Sequence, residues 1–150
     1  KEWINQRLKS IEVRKELTDV WKDRGMKEGA EYAILTDEIT KAWAGRSIKD
    51  YKKLKNLKKE NLRDNMTNLE LVLNMLAEAS TAEFSKKKKP EGVPANQQIA
   101  REGGHVAGKA RAEIEKQTGE SVIKGMRPHA LPEKKPIKPP RKNIPKTRRE

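Results

Sequence analysis

TNLELVLNMLAEA, residues 67–79, is the stretch that decides the fold. Thr67 and Glu70 stand in the S/T-x-x-E spacing of a capping box, in which each satisfies a free donor of the first helical turn. Leu69, Val72, Leu73, Leu76 and Ala79 follow at intervals of three and four, and Leu71 and Met75 widen the apolar face. A helix apolar over so much of its circumference is predicted to be the central one of a small domain, with these residues as core.

Upstream, Ser47 with Asp50 three residues on resembles a cap, and Ile48, Tyr51 and Leu54 form a narrow apolar stripe. The spacing predicts a basic helix over 48–63. Its remaining positions are Lys49, Lys52, Lys53, Lys55, Lys58, Lys59 and Arg63, seven cations against the two acids Asp50 and Glu60. Before it, Tyr32, Leu35, Ile39, Ala42 and Trp43 predict a helix over 29–44. Thr36-Asp37-Glu38 offers a possible break where a new helix would be capped at Thr36. Residues 2–24 show two apolar stripes, Ile4/Leu8/Ile11 and Leu17/Val20/Trp21, and Gly25 supplies a stop.

Downstream, Lys86, Lys87, Lys88 and Lys89 run into Pro90, Gly92 and Pro94, so 85–94 reads as a linker or hinge. Ile99, Val106, Ala110 and Ile114 then predict a helix over 95–118, with Gly103, Ala107 and Gly108 on the same side. The Gly103-Gly104 pair means that this helix either breaks or receives another backbone at close range. Its Gly/Ala face must dock on the first unit or on another chain. Six prolines follow Lys124, and 124–150 reads as an extended, disordered basic arm.

The expected class is therefore all-α: a small amphipathic helical bundle over 2–84, a hinge at 85–94, one further docking helix within 95–123, and a Pro-rich tail over 124–150. Composition agrees. Charged residues make up 38% and hydrophobic residues 33% of the 150, which is lean for a core yet too apolar for full disorder. A chain that opens Lys1-Glu2-Trp3 is expected to be a piece of something longer or a processed product. A homodimer is expected, because each chain offers few large apolar side chains.

Without cysteine, a disulfide framework, Cys-ligated zinc, an iron–sulfur cluster and a thiol nucleophile are excluded. No run of 18 apolar residues suggests a membrane span. His105 and His129 have no second ligand at metal spacing, the acids read as partners of helical lysines, and Ser10, Ser80 and Ser121 lack a nucleophile motif. GGHVAG lacks the order and the preceding strand of a phosphate loop. Neither enzyme, metal nor cofactor is expected.

The net charge of +13 is uneven: +2 over 1–84, +3 over 85–123 and +8 over 124–150. Such an arm points to a polyanion. The expected nucleic-acid contacts are Lys49, Lys52, Lys53, Lys55, Lys58, Lys59 and Arg63 on the basic helix, Lys86, Lys87, Lys88 and Lys89 in the hinge, and Arg141, Lys142, Arg148 and Arg149 in the arm. Lysine suits phosphate contact rather than base reading. Trp3, Trp21 and Trp43 would stack on bases only if exposed, and their helical spacing favours core packing.

Three blocks carry a resemblance. LKNLKKENLRDNMTNLELVLNMLAEASTAEFSKKKKP (54–90) resembles the C-terminal region of the DNA-damage-inducible protein D family through Leu57, Lys58, Lys59, Leu62, Asp64, Met66, Thr67, Glu70, Leu71, Ala79 and Thr81. VRKELTDVWKDRGMKEGAEYAILTDEITKAWAG (13–45) and QQIAREGGHVAGKARAEIEKQTGESVI (97–123) are similar to further blocks of that family. The resemblance spans about residues 3–123, with no counterpart placed for the arm. It implies a bacterial, cytoplasmic, nucleoid-associated protein of DNA damage (SOS) or prophage control. Relatives commonly carry a BRO-type domain, seen in prophage antirepressors, ahead of this region.

The leading expectation is a nonenzymatic DNA-associated regulator. One alternative is a protein-interaction module acting on a recombination filament or a repressor. The other is an accessory region of an enzyme whose active site lies upstream.

Overall fold

The computed structural model describes residues 2–125, apart from the side chain of Trp3. Five α-helices account for most of these residues: α1 (Glu2–Asp23), α2 (Ala30–Ala44), α3 (Ile48–Leu54), α4 (Asn68–Lys88) and α5 (Gly92–Thr118), with one 3₁₀ turn at Arg63–Asn65. No strand occurs among the described residues. The all-α expectation holds, and no described helix is long and apolar enough to cross a membrane.

The capping box at the start of α4 is present. Thr67 Oγ1 accepts from the Glu70 N–H at 3.2 Å, and Glu70 Oε1 accepts from the Thr67 N–H at 3.0 Å. The helix is central, since α1 packs on one side of it and α5 on another. Its buried face, however, is not the one that the leucine spacing suggests. Leu69, Val72 and Leu76 are exposed, while Glu70, Leu71, Leu73, Asn74, Ala77 and Glu78 point inward. Two acids and an amide take core positions because each finds a partner there.

A similar correction applies to α1. Leu17, Val20 and Trp21 enter the core, and Ile4, Leu8 and Ile11 face solvent. Trp21 and Trp43 are buried, so neither is a base-stacking platform. Trp21 lies against Tyr32 with ring centroids 5.3 Å apart, and Trp43 meets Tyr51 edge-on at 6.1 Å. Helix α2 runs unbroken through Thr36-Asp37-Glu38. Thr36 Oγ1 donates to the Tyr32 carbonyl (2.7 Å), the helix-compatible alternative to capping a new one.

The glycine pair in α5 resolves to close approach. A Cβ on Gly103 would fall 2.6 Å from the Thr81 nitrogen of α4, and one on Gly104 would fall 2.6 Å from the Ile39 carbonyl oxygen of α2. Helix α5 thus lies between α2 and α4 with nearly bare backbone against each. Its small-residue face is buried within the chain, so it supplies no reason for a second copy.

The expected hinge differs as well. Lys86 to Lys88 are the last turn of α4, Lys89 caps it in the left-handed conformation, and α5 starts at Gly92. Ser85 and Pro90 are buried. Packing of the α4 C-terminus against α1 and α5 overrides the repulsion among the four lysines.

Candidate nucleic-acid interface

The basic segment is built around α3. Ser47 Oγ accepts from the Asp50 N–H (3.1 Å), and Asp37 of α2 accepts from the Ile48 N–H (2.8 Å), so the first turn is pinned at two points. The helix ends after two turns, at Leu54, and does not reach residue 63. Asn56 has a positive φ of 61°, and the Leu57 N–H donates to the Lys52 carbonyl at 2.8 Å. The chain folds back here because Leu57 is drawn into the interior, 6% exposed.

Lys55 goes inward with it. Its side chain is fully buried, and Nζ lies 2.9 Å from Glu70 Oε1. Lys55 is therefore not a DNA contact. A buried ammonium is tolerable only when paired and hydrogen-bonded. Its second partner is the Lys124 carbonyl at 2.6 Å, while the Lys124 N–H donates to Glu70 Oε2, also at 2.6 Å. One buried ion pair thus holds both main-chain groups of one residue. The Tyr51 ring, 5.8 Å from Lys55 Nζ, completes the surroundings. Burial first, and the Glu70 carboxylate second, push its phenol well above the usual tyrosine range.

The strand of chain after α5 is anchored a second time. Glu115 Oε2 accepts from the Val122 N–H (2.9 Å) and from Arg111 Nη1 (3.0 Å), while Arg111 Nε donates to the Trp43 carbonyl (2.8 Å). The Val122 amide first, and Arg111 after it, hold the Glu115 carboxyl below its usual value against the opposing effect of burial. Val122 and Ile123 are buried. This hook sets Gly125 beside α3, where a Cβ would lie 3.3 Å from the Leu54 carbonyl oxygen. The basic arm therefore begins next to the α3 lysines.

Of the remaining expected contacts, Lys49, Lys53, Lys58 and Lys59 are exposed and Lys52 is half-buried. None of the five forms an ion pair among the described residues. Arg63 faces inward: its Nη2 donates to Glu78 Oε2 at 2.6 Å, so it too is withdrawn from the surface set. The lysine run lies at the opposite end of α4, about 30 Å away for a helix of 21 residues. Lys86 pairs with Glu16 and Lys88 with Glu102, each at 2.8 Å, and all four lysines of the run are exposed. The structure thus separates two lysine clusters that the sequence places in one list. Arg141, Lys142, Arg148 and Arg149 lie outside the described residues.

Sequence reasoning missed Glu78, Glu115, Arg14 and the Lys124 main chain as organising groups, and read Glu70 only as a helix cap. Glu70 and Glu78 carried a signal, since acids at core phase of a helix imply buried cations elsewhere in the chain.

The architecture defines a small helical domain with a lysine-rich face and a hooked basic C-terminal segment, and no group of three or more potential metal ligands occurs among the described residues. The chain matches the family model of the DinD C-terminal domain over residues 3–139 and belongs to that family. The match runs 16 residues past the resemblance traced above, into the arm. Comparison with curated proteins and with solved structures returns no match.

Proposed function

We propose that this chain is a nonenzymatic, DNA-associated regulatory module of a DNA-damage or prophage response, and that it holds the phosphate backbone through Lys49, Lys52, Lys53, Lys58 and Lys59. The observation that carries this reading is the grouping of five lysines, none ion-paired among the described residues, around a short helix beside which the +8 arm departs. A cationic surface of this kind releases counterions from DNA without reading base edges. Membership in the DinD family supports the DNA-damage setting. A cytoplasmic, nucleoid-associated location and a low sequence preference belong to the same reading.

The test is the slope of log K against log salt for binding to random duplex DNA. Replacing Lys49, Lys53 and Lys59 by Glu should weaken binding to all sequences and reduce the slope by about 0.9 per lost phosphate contact. Lys55 is left intact because it is buried. Deleting 126–150 should reduce the slope further. Three lines of equal slope would refute the reading.

A second reading draws on a different observation. Leu69, Val72 and Leu76 leave an apolar stripe on the outer side of α4, and Ile4, Leu8 and Ile11 leave another on α1. Such surface favours a protein partner, whether a recombination filament, a repressor or a second copy of the chain. Binding to such a partner, abolished by Leu76→Asp with DNA affinity unchanged, would establish it.

A further inference from the structure

Behind the lysine face lies a recess of about 220 Å³ between α1, α2, α3 and the loop that precedes α4. Its polar lining includes Arg14, Lys52, Asn61, Arg63 and Asn74 together with Thr36 and Thr40 of α2, and Thr36 Oγ1 accepts from Arg14 Nη2 at 2.8 Å. Arg14 Nη1 and Arg63 Nη2 both donate to the same oxygen of Glu78, at 3.3 Å and 2.6 Å. One carboxylate faces two guanidiniums, so the trio keeps a net positive charge. Lys52, with no ion pair among the described residues, adds to it.

The donors outnumber their acceptors. Arg63 Nε is buried and has no hydrogen-bond partner among the described residues. Asn61 uses its Oδ1 for the Asp64 N–H (3.1 Å), and Asn74 uses its Oδ1 for the Trp43 indole N–H (3.2 Å), which turns both amide NH2 groups to other acceptors. Nearby acids are engaged: Asp37 with the Ile48 N–H and Lys41, and Asp64 with Arg7. Against them stands one acceptor, Glu78 Oε1, buried and also unpartnered, whose charge the two guanidiniums outweigh. The planar fork of a guanidinium suits tetrahedral oxyanions, and an ammonium and two amides extend the same preference.

We propose that this recess binds a phosphoryl group. The inference shares Lys52 with the lysine face, and saturable phosphate binding is expected even if that face contacts no DNA. The phosphate would come either from a free small molecule or from a nucleic-acid strand.

The test titrates the full chain with inorganic phosphate at low ionic strength, against chloride at matched ionic strength, by calorimetry. Saturable binding at one site per chain is expected. Lys52→Gln, at a half-buried side chain with no ion pair among the described residues, should weaken it about tenfold, the ratio that goes with losing one charge-assisted hydrogen bond. Arg63→Gln combined with Glu78→Gln removes the Arg63 donors at constant net charge, and should weaken binding by at least as much as Lys52→Gln. If that double variant fails to fold, Lys52→Gln alone decides. Lys87→Gln with Lys89→Gln, at the far end of α4, should leave the affinity unchanged. Binding that does not saturate, an unaffected Lys52→Gln, or an equal loss in the Lys87/Lys89 variant would each overturn the proposal. The two sources separate in a competition. Phosphate displacing a single-stranded oligonucleotide from the parent, with that oligonucleotide bound more weakly by Lys52→Gln, assigns the strand. Saturable phosphate binding without displacement assigns a free small molecule.

Discussion

The two ends of α4 carry lysine–glutamate pairs of nearly equal length and opposite character. At the N-terminal end Lys55 and Glu70 sit 2.9 Å apart, both fully buried. At the C-terminal end Lys86–Glu16 and Lys88–Glu102 each measure 2.8 Å, in the open. Distance alone would rank them as equals. Solvent decides otherwise, since an exposed pair is screened and costs side-chain freedom, whereas a buried one has no water to fall back on when a partner is removed. The N-terminal pair also carries structure beyond itself, because it holds the hook that leads the arm to α3. The C-terminal pairs decorate a helix already fixed by its packing.

The largest expected effect separates the ends most sharply. Lys55→Met strands a buried carboxylate and should cost about 3–5 kcal/mol in urea unfolding. Adding Glu70→Gln should recover much of that loss, because the stranded charge is then gone. A single substitution that costs nothing would mean that the N-terminal pair behaves like its exposed counterparts.

Next in size is Gly104→Ala. The new methyl meets Ala42 Cβ and the Ile39 carbonyl at 2.6 Å, and overpacking of this kind costs about 1–3 kcal/mol. An unchanged midpoint would show that α5 does not press on α2.

Acid should loosen the hook that Glu115 holds. Glu115 has a depressed pKa in the folded chain. Its contribution is complete above the unfolded carboxylate value and is lost as pH falls through the lower folded value. The protection of the Val122 amide from hydrogen exchange, relative to the intrinsic rate at each pH, should therefore fall on acidification below the usual carboxylate range, and Glu115→Gln should remove that dependence.

The smallest effect belongs to the lysine run. Lys86→Ala and Lys88→Ala should leave the unfolding midpoint unresolved from that of the parent, as exposed pairs generally do. A clear loss would place a hidden role at that end.

How far the sequence could be read follows the same divide. The Thr67–Glu70 box was legible because capping is local and needs only four consecutive residues. The helical segments were legible from their spacing. The end of α3 was not, since Lys55 turns inward only because Glu70 and the Lys124 main chain await it, 15 and 69 residues away. Nor was the exposed face of α4, whose leucines are as apolar in sequence as those it buries. At the candidate interface, the exposed lysines of α3 and its loop were legible as an unbalanced charge run, while the inward turn of Lys55 and Arg63 depended on Glu70 and Glu78.

By itself, then, the sequence determined the helical class, the α4 cap, the close backbone approach at Gly103-Gly104 as one of two options, and the concentration of cations around residues 49–59 and after residue 124. These are consequences of local propensity, residue size and composition, which act without knowledge of distant neighbours. Tertiary structure alone decided which apolar side chains α1 and α4 bury, which lysines remain at the surface, and that the lysine run continues α4. Burial is settled by the partner a side chain meets, and Lys55 and Lys53, two residues apart and identical in chemistry, differ only in that.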